Sequence, residues 1–118
     1  MRGDKRVTGR MLRLAPADVA VSSVVMHELF FGAYRSARAR ENLARVHALR
    51  FPVLNLDGGD AEAAGRIRAD LATKGTPIGP YDVLIAGQGL ARDLTVVTRN
   101  VTEFGRVISL RFENWEDE

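Results

Sequence analysis

Gly79-Pro80-Tyr81-Asp82-Val83-Leu84-Ile85-Ala86 reads as a turn followed by the start of an apolar helix, with an acid in the first turn. The Gly-Pro pair ends whatever precedes it, and proline is tolerated where the first helical N–H has no partner in any case. An acid so early gains from the helix dipole. Asp82 also shares a face with Ile85, Ala86 and Gly89, at spacings of three, four and seven residues. A carboxylate on an apolar face is costly to bury unless a cation or hydrogen-bond donor meets it. Capping alone accounts for one such residue. A second acid of the same kind argues for something more.

Glu28 is that second acid, in Val24-Val25-Met26-His27-Glu28-Leu29-Phe30-Phe31-Gly32. Val19 to Ser22 reads as a short strand, and Ser22 and Ser23 are N-cap candidates for the helix after it. Val24, Val25, Phe31 and Gly32 flank Glu28 at helical spacing, which puts it along the apolar side. An ion pair with one of the many arginines is the structural alternative. Two acids, each early on an apolar helix after a turn or strand, suggest a shared cation site. Mg²⁺ prefers oxygen ligands and needs only one or two carboxylates beside waters and substrate phosphates.

Outward from these helices, strands and helices alternate. Arg38 to Arg50 forms an αα-hairpin with the Glu28 helix, broken near Ser36, and Phe51 to Leu56 is a strand ended by Asp57-Gly58-Gly59. Asp60 to Lys74 is an amphipathic helix with Ala64, Ile67 and Leu71 inward, stopped by Gly75. The Asp82 helix runs to about Asp93, Leu94 to Thr98 is a β-branched strand, and Ile108 to Phe112 is the last strand before a polar exit at Glu113-Asn114-Trp115. Such alternation predicts an α/β fold with a parallel sheet. Ligands of such sheets bind beyond the carboxyl ends of the strands, where Thr98-Arg99-Asn100 falls. Asn100 also suits an ordinary turn after a strand.

Composition narrows the chemistry. With 118 residues and 46% hydrophobic content, one domain with a real core is expected. The absence of cysteine excludes disulfides, thiolate catalysis and zinc–thiolate sites, and His27 and His47 make no histidine metal motif. No apolar run approaches a membrane span and the N-terminus lacks a signal-peptide core, so a cytoplasmic address and no membrane partner are expected. Five arginines against Glu41 between Arg35 and Arg50 make that stretch basic; a solvated helix face explains it, and so does a nucleic-acid contact. A nucleotide-binding α/β domain is disfavoured: no glycine-rich loop follows a strand, and Asp57-Gly58-Gly59-Asp60 is too acidic to cradle phosphate.

Taken in order, Ser22–Leu29 with Gly32-Ala33, then Ala64–Leu71, Gly75–Ala86, Val97–Phe104 and Leu110–Trp115 resemble the PIN-domain ribonucleases. The resemblance is closest to the VapC-type toxins of bacterial toxin–antitoxin pairs and covers nearly the whole chain from Val19 onward. It implies a single PIN-like domain over residues 1–118, with a three-layer α/β fold in which helices flank a central parallel sheet. It also implies an endoribonuclease, dependent on Mg²⁺ or Mn²⁺, that cleaves RNA phosphodiester bonds and is neutralised by a cognate VapB-type antitoxin. A homodimer is expected. Carried over residue by residue, Glu28 and Asp82 match two of the family's metal-binding acids. Asn100 matches a position that holds Asp or Asn, and Thr98 the hydroxyl residue beside it, which makes Glu28, Asp82, Asn100 and Thr98 the expected catalytic set. Carboxylates clustered in this way repel one another without metal, so their pKa values are expected to rise.

The family pattern begins with a short apolar strand ending in Asp-Thr-Asn, whose Asp is the first metal ligand, and this chain has no match to it. Met1 is therefore expected to be an internal start, with that central strand missing. Asp4 sits among Arg2, Lys5 and Arg6 with no strand before it, a poor replacement. The alternative function is an inactive PIN domain that only binds an antitoxin or another partner, with Phe30, Phe31 and Tyr34 as candidate interface residues. The same three aromatics also suit core positions.

Overall fold

The computed structural model describes residues 19–114, in two compact units, the first ending at Asn55 and the second beginning at Leu56. Asp4 and Trp115 lie outside the described residues. Among the described residues, no helix is long and apolar enough to cross a membrane.

In the first unit, β1 (Val21–Ser22) pairs in parallel with β2 (Val53–Leu54), in the register Val21 to Val53 and Ser22 to Leu54. Between them lie α1 (Ser23–Arg35) and α2 (Ala39–His47), the expected hairpin broken at Ser36. Ser22 caps α1: its hydroxyl accepts the Val24 N–H at 3.1 Å, satisfying a donor that the helix leaves open. Ser36 closes the other end, donating to the Ala33 carbonyl at 2.8 Å and accepting from Asn42 at 2.8 Å. In α1 Val24 and Ala33 are buried and Met26, Leu29 and Phe30 half-buried, and Phe30 meets His47 of α2 with ring centroids 5.1 Å apart. Val46 of α2 is buried beside it.

This burial corrects one expectation. Val24 is buried and Val25 half-buried, but Glu28, Phe31 and Gly32 are all exposed, so Glu28 itself lies on the outer side of α1. The helix is apolar almost all round, and counting hydrophobic neighbours at three- and four-residue steps selects no single face.

In the second unit, α3 (Gly58–Thr73) and α4 (Pro80–Ala91) pack together, and β3 (Val96–Val97) pairs in parallel with β4 (Phe112–Glu113). The α3 stripe Ala64, Ile67 and Leu71 is buried as expected. The two glycines after Asp57 do not end a strand; they form the first turn of α3, because Asp57 is its N-cap and makes a reciprocal capping box with Asp60. The core joins Ile67 and Leu71 to Val83, Ala86, Val96, Phe104, Val107 and Leu110. Gly87 sets how closely α3 and α4 approach: a Cβ there would stand 2.6 Å from both the backbone nitrogen and the Cβ of Ala64.

The last strand starts later than its sequence suggests. Ser109 has φ +68°, a left-handed conformation no strand can run through, so the Ile108–Leu110 segment turns and pairing begins at Phe112. A single turn, α5 (Val101–Phe104), connects β3 towards it. Parallel pairing matches the α/β expectation; among the described residues it is realised as two separate two-stranded ladders, β1–β2 and β3–β4.

At the far end of α4, Arg92 reaches back to the start of α3. Its Nε donates to Asp60 Oδ1 at 3.1 Å and its Nη2 to Asp60 Oδ2 at 2.8 Å. Asp60 is 1% exposed and opens the buried stripe of α3. The Arg92 guanidinium holds the Asp60 carboxyl below the usual aspartate range, against the opposing effect of burial.

Candidate functional site

The carboxyl end of β3 and the N-terminus of α4 meet in a cluster of polar side chains. Pro80 begins α4 and Gly79 caps it without a side chain, which places the half-buried Asp82 at the third helical position. After β3 the chain turns at Thr98, whose hydroxyl accepts the Asn100 N–H at 3.0 Å and fixes the turn. That bond aims the Asn100 side chain. Its amide donates to Asp82 Oδ2 at 3.0 Å and also to Glu103 Oε2, so one neutral group bridges two carboxylates. Glu103 lies three residues on, across the single turn of α5, and its other oxygen accepts the Gly79 N–H at 3.0 Å. The α4 N-terminus thereby receives the cap that glycine cannot supply.

The two acids respond in opposite directions. Burial pushes the Asp82 carboxyl above the usual aspartate range, the Glu103 charge adds to the rise, and the Asn100 hydrogen bond opposes both. Glu103 is held below its usual range, first by the Asn100 amide and then by the Gly79 N–H, with the Arg106 charge assisting. The expected rise therefore occurs at Asp82 and not at Glu103, because backbone and amide donors stabilise the ionised form of Glu103.

Of the residues singled out in the sequence, Asp82, Asn100 and Thr98 come together here. Glu28 belongs to the first unit, exposed on α1. Glu103 is the member that sequence reasoning missed. Its three-residue spacing from Asn100 was the available signal, since one helical turn stacks such a pair. Among the described residues no three His, Asp or Glu side chains gather on one metal position. Two all-oxygen carboxylates already held side by side nevertheless fit the donor set of a hard divalent cation, which fills its remaining positions with water and phosphate.

Fold and cluster together define a parallel α/β protein with an acidic group beyond a strand end. The chain belongs to the PIN-domain family, whose description matches residues 3–108, and within it to the VapC type. It is 46% identical over 104 residues to the tRNA(fMet)-specific endonuclease VapC of Salmonella typhimurium, covering 86% of this chain and 79% of that one. Its structure is similar to that of DNA-bound VapBC from Salmonella typhimurium, with a TM-score of 0.88 and 41% identity over 95% of this chain and 86% of that one. VapBC-1 from nontypeable Haemophilus influenzae is similar at a TM-score of 0.83 and 30% identity, with 95% and 86% covered. The resemblance read from the sequence is borne out, and with it the PIN-type mixed α/β fold.

Proposed function

We propose that this chain is a metal-dependent endoribonuclease of the VapC type, restrained in the cytoplasm by a VapB-type antitoxin and acting as a homodimer. The observation that carries this reading is the Asp82–Asn100–Glu103 cluster at the end of β3, in a member of a family with relatives named as ribonucleases. Antitoxin pairing is supported by the VapBC complexes among its structural relatives. One PIN-like domain over residues 1–118 is supported by a family match that runs through both units.

Asp82 and Glu28 are assigned as metal ligands, with Glu103 added to them, and Mg²⁺ or Mn²⁺ is the cation their oxygens suit. Held by these carboxylates, such a cation would supply Lewis-acid polarisation of a phosphoryl oxygen and activation of water as the nucleophile. The protein's own part is to hold charge in place. Asn100 keeps two like charges adjacent, and Thr98 fixes the turn that aims Asn100. Burial under-stabilises the ionised form of Asp82, and a nearby cation would favour that form.

The test is cleavage of an initiator tRNA transcript by the purified chain, with Mn²⁺ or Mg²⁺ and with EDTA. Cation-dependent cleavage is expected, with a loss of at least about a hundredfold in Glu28→Gln and Asp82→Asn, typical of removing charge stabilisation at a reacting phosphate. Both variants should keep their circular dichroism. Cleavage that persists in EDTA, or at full rate in both variants, refutes the assignment.

A further inference from the structure

Beside Glu28, the outer face of α1 carries an aromatic ring and a guanidinium that neither the strand-end cluster nor the packing of the helix employs. Glu28, Phe31 and Arg35 follow one another at three- and four-residue steps, and all three are exposed. Neighbours at those steps have Cβ atoms about 5–6 Å apart. The Arg35 guanidinium carbon stands 5.6 Å from the Phe31 ring centroid, a cation–π contact formed in the open. Phe31 is 58% exposed, and Tyr34 beside it is 68% exposed. Rings of this size are ordinarily drawn inward.

The surrounding charge selects what would cover them. Between residues 35 and 50 there are five arginines and one acid, and among the described residues the ion pair in that stretch is Arg38 with Glu41 at 3.5 Å, on exposed side chains. Arg35, Arg40 and Arg50 make no such pair there. Exposed rings set in a cationic field match a single-stranded polyanion, which offers π faces and phosphates alternately.

We infer that Phe31 and Arg35 form a base-stacking subsite for single-stranded RNA beside Glu28. This rests on the ribonuclease reading, with Glu28 as part of its site. Along the helix axis Phe31 lies about 4.5 Å from Glu28 and Arg35 about 10.5 Å. Stacked nucleotides rise about 3.4 Å each. A base one or two nucleotides from the scissile phosphate therefore lands on the Phe31 ring, and the Arg35 guanidinium takes a neighbouring phosphate.

The experiment measures fluorescence anisotropy of a labelled single-stranded RNA of about ten nucleotides, titrated with the full chain carrying Asp82→Asn so that binding is read without cleavage. Adding Phe31→Ala should weaken binding about tenfold, within the range for losing one stacked base, while Phe31→Trp should keep it. Arg35→Gln should lower the salt slope of binding by about one. Because both side chains are exposed, thermal melts should match the parent. RNA affinity within about twofold of the parent, with an unchanged salt slope in Arg35→Gln, overturns the subsite, a result that includes loss of VapB-type antitoxin binding alone and gives the face to a protein partner. If the unsubstituted chain cleaves RNA while Phe31→Ala binds normally, the subsite alone falls. If the chain neither binds nor cleaves RNA, the ribonuclease reading falls with it.

Discussion

Replacing Arg92 by Ala should be among the most damaging single changes away from the strand-end cluster. It removes two charge-assisted hydrogen bonds, at 3.1 and 2.8 Å, from a carboxylate that is 1% exposed. Asp60 would keep the Asp57 N–H at 3.0 Å and a long contact from Gln88 at 3.5 Å. Breaking a buried pair typically costs 3–5 kcal/mol, and the partial solvation of Arg92 argues for the low end, about 3 kcal/mol. For a chain of 118 residues that corresponds to a melting temperature lower by about 12 °C. Urea unfolding at a series of pH values is the assay. The pKa of Asp60 is lowered mainly by Arg92, so its contribution is fully present above the unfolded value of about 3.9 and is lost as the pH falls through the lower folded value. Without Arg92, burial dominates and lifts the folded pKa above the unfolded value, so protonation relieves the variant as the pH falls through that raised value. The gap between the two proteins should therefore be widest near neutrality and close in acid. A variant within about 1 kcal/mol of the parent at pH 7, or a gap independent of pH, would refute this account.

Two further outcomes follow from the same unit. Gly87→Ala should destabilise by about 1–3 kcal/mol in urea unfolding, even though alanine is the better helix former by about 1 kcal/mol, because the added carbon meets backbone at 2.6 Å; a more stable variant would mean that α3 and α4 are not in close contact. Asn100→Ala should let Glu103 titrate nearer its ordinary range and push Asp82 still higher, read by NMR titration of the side-chain carboxyls, because the amide lowers both; unmoved titration curves would dissociate Asn100 from the acids.

Much of this was legible in the sequence where the controlling interactions are local. The stripe Ala64, Ile67 and Leu71, the Gly79-Pro80 helix start and the Ser22 cap each follow from spacing within a turn or two. The meeting of Asp82 with Asn100 was anticipated by the rule for strand ends and by the family resemblance. Glu28 was put on the wrong face because α1 offers apolar residues in nearly every direction, and only packing decides which of them turn inward. The buried Asp60 could be recognised as a helix start, but its partner Arg92 is 32 residues away, a pairing no local pattern announces. The left-handed Ser109 was hidden for the opposite reason: an ordinary residue occupies a conformation that its type does not advertise.

The Asn100 amide has a consequence for how two like charges tolerate each other. Adjacent carboxylates repel when nothing lies between them. Here a neutral donor clasps Asp82 and Glu103, while Gly79 secures Glu103 from the other side. The closeness of the two acids is thereby built into the protein's own hydrogen bonds, so that a change at Asn100 is felt by both acids at once.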